Sequence, residues 1–289
     1  MKAFQDKIFR AAETGGEVLF MGAGAESDRW IAPPGSGKIM VLAPHPDDAE
    51  AVAVTLRLFA EAGCEVQYKI CCLSPSGVTD EFAERKAEAE GVPIIGADEL
   101  SAYKKIIRRA EQLESTRLAG FPGQEGGDCV KFLDLEENSR GSLLDTEKNA
   151  EAIAGVLSGS APDIVLMPWE EDTNSDHVLV CRYFRRAAEM LAASTGRPML
   201  GLYIRDPKTL VMTEHLAVPF GEKAARWKAG LLKAHRSQHE RNLSLRGHGM
   251  DERILQVNRD SWQRISKIFP SETAAKYFYA EIFQVELFH

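Results

Sequence analysis

Four short apolar runs alternate with helix-patterned segments along the chain, and this alternation constrains the fold more than any other feature of the sequence. The runs are rich in Val, Ile, Leu or Met, and they span residues 38–44, 65–73, 163–168 and 199–204. Helical periodicity lies near residues 50–62, 101–119, 145–158 and 177–194. Strands separated by helices of this length pair in parallel through right-handed crossovers. We therefore predict an α/β fold, with a Rossmann-like, mostly parallel sheet and helices on both of its faces.

The two ends of the chain depart from this alternation. Residues 1–37 contain a short amphipathic stretch and the loop sequence "APPGSG". We predict that they form an N-terminal appendage and that residues 38–289 form the main domain. Beyond about residue 205 the pattern is mixed, and two further helices are predicted, at 222–240 and at 251–267.

Composition and charge restrict the class of function. The chain has 289 residues, of which 44% are hydrophobic, so it can bury a full core. Its formal net charge of -8 argues against broad binding to nucleic acid or to anionic membranes, because both need clustered positive charge. We therefore expect a small-molecule partner. The sequence leaves the oligomeric state open, and a homo-oligomer remains compatible with it.

The expected compartment is the cytoplasm. The amino terminus interleaves charged with apolar residues and lacks a continuous apolar signal core, and no apolar run is long enough to span a bilayer. The five cysteines include no CxxC pair, which is typical of reduced thiols.

A cluster of polar residues, "APHPDDAE", follows the first apolar run directly. In an open parallel sheet, ligands bind beyond the carboxyl ends of the strands. His45 and Asp48 lie three residues apart across Pro46, so an imidazole and a carboxylate can converge on one cation, and Asp47 is left free beside it. The alternative is that Asp47 and Asp48 only accept backbone hydrogen bonds in the first turn of a helix.

A second cluster, "PWEEDTNSDH", follows the run at 163–168 and contains Asp172, Asn174, Asp176 and His177. Together with the two ligand types of the first cluster, His177 would complete a set of two histidines and one carboxylate. With zinc, such a set leaves an open position for water. The alternative is a histidine at the start of a helix or in the core, with Asp176 as a cap.

The two clusters together resemble the paired signature of the PIG-L/LmbE family of zinc-dependent N-deacetylases. Four further segments look like motifs of this family and occur in the family's order: "CLSPSG", "RRAEQ", "KAHRSQ" and "YAEIF". The resemblance covers residues 38 to about 285. It implies an enzyme that removes the acetyl group from an N-acetylated sugar or glycoconjugate. Two alternatives stay open, namely a non-catalytic or regulatory binding protein on the same fold and a hydrolase of a different amide or ester.

The resemblance also implies the roles of individual residues. It makes His45, Asp48 and His177 the ligands of one Zn²⁺ per chain, or of another divalent transition metal. Asp47 would act as the general base toward a metal-bound water.

Three other positions receive roles from the resemblance. Asp176 would orient a ligand histidine, and Arg108 would contact the substrate, although an exposed arginine paired with Glu111 or Glu114 is the alternative. Asn174 stands where the family usually has a histidine. An asparagine can donate a hydrogen bond to an oxyanion but cannot titrate, so we expect a catalytic role for Asn174 as a donor only.

Overall fold

The structure is a computed structural model, and it describes residues 1–14, 18–22, 28–121, 129–268 and 275–289. The strands are β1 (Leu19–Met21), β2 (Trp30–Ile31), β3 (Lys38–Ala43), β4 (Glu65–Ile70), β5 (Val130–Phe132), β6 (Ile164–Pro168), β7 (Met199–Ile204), β8 (Leu216–Phe220) and β9 (Tyr279–Phe288). The helices are α1 (Lys2–Glu13), α2 (Ala53–Glu61), α3 (Asp80–Glu90), α4 (Ala97–Ala119), α5 (Glu147–Ser160), α6 (Ser175–Thr195), α7 (Glu222–Ala234), α8 (Arg236–Arg246) and α9 (Met250–Ile265). Short 3₁₀ turns span Asp48–Val52, Pro75–Gly77 and Ser266–Ile268.

Within the described residues the strands form one nine-stranded sheet in the order β2-β1-β8-β9-β7-β6-β3-β4-β5. Neighbouring strands are parallel, except that β9 runs antiparallel to both β7 and β8. The predicted α/β class with a mostly parallel sheet is therefore confirmed. The four predicted strands correspond to β3, β4, β6 and β7, which are neighbours in the sheet.

Both faces of this sheet are covered, which is why its central strands are apolar throughout. Along β3, alternate side chains point to opposite faces, so that Ile39 and Val41 join one hydrophobic cluster and Met40 and Leu42 join the other. Helices α1, α2 and α7 pack on the first face, and α5 and α6 pack on the second. Burial on two sides thus produces the continuous apolar runs that predicted these strands.

The carboxyl-terminal part differs from the prediction at one helix. The predicted helix at 222–240 consists of two helices, α7 and α8, and the chain breaks between them at His235, where ψ is 65°. The His235 side chain is fully buried, and its Nε2 lies 3.3 Å from the Glu50 carboxylate. The break therefore carries His235 into the core, a tertiary contact that helical periodicity does not report.

The first 37 residues contribute to the sheet and to its core. Strand β1 pairs in parallel with β8, and Phe4 and Ile8 of α1 join the same cluster as the central strands. Parts of this segment, 15–17 and 23–27, lie outside the described residues. The boundary between an appendage and the main domain at residue 38 stays a prediction.

Among the described helices, none combines the length and the apolarity that crossing a bilayer requires.

Candidate metal and catalytic site

The two polar clusters meet at one edge of the sheet because their strands are neighbours. Strand β3 pairs in parallel with β6, with Ile39 opposite Ile164, so both strands end at the same edge. His45 lies just beyond β3, and His177 lies in the first turn of α6, the helix that follows β6. The prediction that two strand ends face one crevice therefore agrees with the structure.

Three candidate ligand atoms converge at this edge. The Asp48 Oδ2 atom lies 3.1 Å from His45 Nδ1 and 3.3 Å from His177 Nε2. Ligand atoms about 2.0–2.2 Å from a single tetrahedral cation are about 3.3–3.6 Å apart. The spacing and the donor types, two imidazoles and one carboxylate, thus fit a divalent transition metal.

Carboxylates behind the two imidazoles orient their ring nitrogens. His45 Nε2 lies 2.9 Å from Asp176 Oδ2, and His177 Nδ1 lies 3.0 Å from Asp172 Oδ2. Ring N–H groups that donate to these carboxylates leave the lone pairs of the inner nitrogens free for a cation. Lys208 Nζ, which can only donate, lies 3.2 Å from His177 Nε2, so it can pair with this inner nitrogen only when the nitrogen carries no proton.

The electrostatics of the cluster favour a bound positive charge. Burial lowers the pKa of His177, but the Asp48 carboxylate outweighs this effect and the pKa rises to about 9. Burial raises the pKa of Asp48, yet His177 and Lys208 hold it well below its usual value, so Asp48 is ionised. The nearby Cys72 thiol is a weaker candidate as a ligand, because burial raises its pKa to about 11.

Asp47 is fixed beside the ligands in an unusual backbone conformation. Its φ is 92°, in the left-handed region that few non-glycine residues occupy. Its backbone N–H donates to Gln112 Oε1 at 3.3 Å, and its Oδ1 accepts from Arg108 at 2.6 Å. Burial raises the pKa of the Asp47 carboxyl more than the Arg108 guanidinium lowers it. Asp47 is thus a carboxyl group held in place with an elevated pKa.

Arg108 is a buried residue that supports Asp47. Only 3% of its surface is exposed, and its Nη2 also donates to the Pro46 carbonyl at 2.7 Å. Its Nη1 donates to the carbonyls of Leu73 and Ser74. The alternative of an exposed arginine paired with Glu111 or Glu114 is therefore wrong.

Asn174 is the N-cap of α6. Its Oδ1 accepts a hydrogen bond from the Asp176 backbone N–H at 3.0 Å, so only its Nδ2 is left as a donor toward a ligand. The Asp176 carboxylate contacts His45, which is one of the two candidate ligand histidines that Asp176 was predicted to orient.

A third strand end supplies residues that the sequence prediction missed. The segment "RDPKT" follows β7, the neighbour of β6, and carries Asp206 and Lys208 to the ligands. Asp206 Oδ2 lies 3.5 Å from His177 Nδ1, and Lys208 Nζ lies 3.8 Å from Asp48 Oδ1. The rule that found the other two clusters, polar residues just after a buried strand, would have found this one as well.

A cavity of about 400 Å³ opens here, and Asp47, Asp48, Asn174 and Lys208 are among the residues that line it. This volume falls within the range of small-ligand pockets, about 300–1,000 Å³. A larger depression of about 630 Å³ lies between α5 and α6, but its arginines face carboxylates and it contains none of the candidate ligands.

Comparison with known proteins gives one family match. The profile of the PIG-L family, described as GlcNAc-PI de-N-acetylase, matches residues 40–188, just over half of the chain and both polar clusters. No curated protein sequence matches the chain significantly.

Several solved structures are similar in fold. The N,N'-diacetylchitobiose deacetylase of Pyrococcus horikoshii has a TM-score of 0.62 at 18% identity, over 86% of this chain and 84% of that one. GalB, the 4-carboxy-2-hydroxymuconate hydratase of Pseudomonas putida KT2440, has a TM-score of 0.57 at 15% identity, over 86% and 95%. A deacetylase of the teicoplanin biosynthetic pathway has a TM-score of 0.52 at 14% identity, over 86% and 98%.

Proposed function

Because the chain belongs to the PIG-L family, we propose that it is a metal-dependent N-deacetylase that removes the acetyl group from an N-acetylated sugar or glycoconjugate. One observation carries the proposal: the inner atoms of His45, Asp48 and His177 converge on one point, and Asp47 and Asp48 open onto the cavity beside it. The names of two structural neighbours, deacetylases of diacetylchitobiose and of the teicoplanin pathway, support the same activity.

The proposed cofactor is one Zn²⁺, or a related divalent metal, held by His45, Asp48 and His177. When bound there, it would acidify a water molecule and polarise the acetyl carbonyl group. Asp172 and Asp176 hold the two imidazoles in the orientation that presents their inner nitrogens.

The chain's own residues carry the proton transfers. Asp47 accepts a proton from the attacking water and later delivers it to the nitrogen of the leaving amine, so that the C–N bond breaks and acetate and a free amine form. Its elevated pKa suits both steps. Arg108 fixes the Asp47 carboxylate, and Asn174 Nδ2 donates to the oxygen on which negative charge develops.

The activity test combines metal analysis with an assay for free amines over a panel of N-acetylated sugars. We expect one divalent metal per chain and amine release that stops on chelation. If the metal-loaded protein releases no amine from any sugar but hydrolyses other amides or esters, the proposed deacetylase activity is wrong and the protein is a different hydrolase. GalB, a hydratase of similar fold, shows why the assay must measure the released amine rather than substrate loss.

Two substitutions in one dipeptide separate the base from a ligand. Asp47→Asn should keep the metal and lose turnover by about a hundredfold or more, because it removes a proton acceptor. Asp48→Asn and His177→Ala should lower the metal content itself. Metal content by atomic emission and kcat are the two measurements. Equal metal loss in the Asp47 and Asp48 variants would contradict the assigned roles.

A further inference from the structure

Three basic side chains line the cavity beside the candidate metal ligands. Arg241 and Arg246 of α8 and Arg253 of α9 line the same cavity as Asp47 and Asp48. Arg246 lies in the last turn of α8 and Arg253 in the first turn of α9, so the connection between the two helices brings their guanidinium groups to one side. The chain as a whole is acidic, with a net charge of -8, so an excess of basic residues does not explain why three arginines lie together here.

Two of these arginines have no hydrogen-bond or ion-pair partner in the part of the chain that the structure describes. Among the described residues, neither Arg241 nor Arg253 makes a side-chain hydrogen bond or an ion pair, although both are half-buried. By contrast, the half-buried Arg185 pairs with the carboxylates of Glu170 and Glu286, each at 3.1 Å. Arg246 is more exposed, and within the described ranges its side chain donates only to Asn242 Oδ1 of its own helix.

Burial and mutual repulsion make this arrangement unfavourable without a counter-charge. Burial and the neighbouring Arg246 guanidinium lower the pKa of both Arg241 and Arg253 by more than the Asp47 and Asp206 carboxylates raise it, yet guanidinium groups stay protonated at any working pH. Neither of these two carboxylates hydrogen-bonds to Arg241 or Arg253 among the described residues, since Asp47 accepts from Arg108 and Asp206 accepts from the backbone N–H groups of Lys208 and Thr209. An anion in the cavity would therefore relieve the repulsion and use the free donors.

From this geometry we infer that Arg241, Arg246 and Arg253 form an anion subsite that binds a phosphate or carboxylate group of the substrate while its N-acetyl group lies at Asp47. The inference rests on the proposed function and narrows the substrate class to anionic N-acetylated sugars or conjugates. All three arginines lie beyond residues 40–188, so elements of the chain outside the matched family region supply this selectivity.

The first arm of the test is kinetic. Released amine is measured with N-acetylglucosamine and with its phosphorylated and carboxylated derivatives, for the wild type and for the Arg241→Gln/Arg253→Gln double variant. We expect kcat/KM to favour an anionic substrate in the wild type by about tenfold to a hundredfold, the range for hydrogen bonds to charged groups, and the double variant to lose this ratio mainly through KM. Arg226→Gln, an exposed arginine of α7 that does not line the cavity, is the matched control and should keep the ratio.

The second arm measures binding without turnover. Inorganic phosphate and succinate are titrated into the metal-loaded protein by calorimetry, and the double variant should bind the preferred anion at least tenfold more weakly, whereas Arg226→Gln should not. A preference for phosphate or for succinate identifies which anion the subsite takes. Anion binding that persists unchanged in the double variant, or equal kcat/KM for neutral and anionic sugars, overturns the inference. If no sugar is deacetylated, the calorimetric arm still tests the subsite, so the two proposals fail separately.

Discussion

Among single residues, Asp47 combines a strained backbone with the most demanding chemical role. A non-glycine residue with φ near 92° costs of order 1–3 kcal/mol, and it persists only where its surroundings enforce it. Here the enforcement comes from α4, since Gln112 holds the backbone N–H and Arg108 holds both the Pro46 carbonyl and the Asp47 carboxylate. The orientation of the proposed base therefore depends on a helix more than 60 positions away in sequence.

Substitution of Arg108 tests this dependence. Arg108→Gln should lower kcat by about tenfold or more at unchanged metal content, because Asp47 loses its anchor while the ligands keep theirs. The change should also move the acidic limb of the pH–rate profile upward, since the guanidinium that lowers the pKa of Asp47 is gone. Arg109→Gln is the matched control, because Arg109 is half-buried on the same helix and pairs with Asp134 rather than Asp47. An unchanged pH profile in Arg108→Gln would show that Arg108 does not act through Asp47.

Asn174 is expected to have two separable roles. Its Oδ1 caps α6, and its Nδ2 is the proposed donor to the oxyanion. Asn174→Ser keeps a cap and removes the amide donor, whereas Asn174→Ala removes both. Both variants should lower kcat by about a hundredfold, and only the alanine variant should also lose about 1 kcal/mol of unfolding free energy. Steady-state kinetics and urea denaturation measure the two effects. A serine variant with wild-type kcat would leave Asn174 with a structural role alone.

Among the elements, α2 depends on a buried ion pair from distant parts of the chain. The Glu281 carboxylate of β9 accepts hydrogen bonds from the backbone N–H groups of Val54 and Thr55 and from the Thr55 hydroxyl group. Lys228 of α7, which is fully buried, donates to Glu281 Oε1 at 2.8 Å. This contact joins the "YAEIF" segment to the start of the helix that follows the first polar cluster, and so positions that helix.

Removal of one partner of this pair should be strongly destabilising. Glu281→Gln leaves the Lys228 ammonium buried without its counter-charge, and we expect a loss of about 3–5 kcal/mol of unfolding free energy, measured by urea denaturation. Arg57→Gln is the control, because it breaks the largely exposed Arg57–Glu61 pair of α2 and should cost no more than about 0.5 kcal/mol. A Glu281→Gln loss below about 1 kcal/mol would mean that the pair contributes little to the fold.

Over the whole molecule, the amino-terminal helix shares the core of the main sheet. Ile8 is 1% exposed and packs in the cluster that contains the central strands. If residues 1–37 were a separable appendage, truncation of Ile8 would leave the stability of residues 38–289 unchanged.

The packing predicts otherwise. Ile8→Ala should lower the free energy of unfolding by about 2–5 kcal/mol in a single cooperative transition. Ile106→Ala, at a position that is 61% exposed on α4, is the matched control and should change it by less than about 0.5 kcal/mol. Two separate transitions, of which only one responds to Ile8→Ala, would support the predicted boundary at residue 38.

The sequence by itself determined the fold class and the two main clusters of the candidate site. Apolar runs identify buried strands because burial on both faces excludes polar residues, and His45, Asp48 and His177 were found because ligands of parallel sheets lie just after such strands. Each of these inferences uses only residues that are close together in the sequence, and the local pattern of apolar and polar residues is enough to make it.

Only the tertiary structure decided how the other groups meet. The contacts of Arg108 with Asp47 and of Asp176 with His45 join residues 61 and 131 positions apart. The break at His235 and the basic residues of α8 and α9 in the cavity likewise depend on how helices pack over the sheet. A side chain's partners, and hence its pKa and its role, follow from distances in space, and local sequence spacing does not fix these distances until the chain has folded.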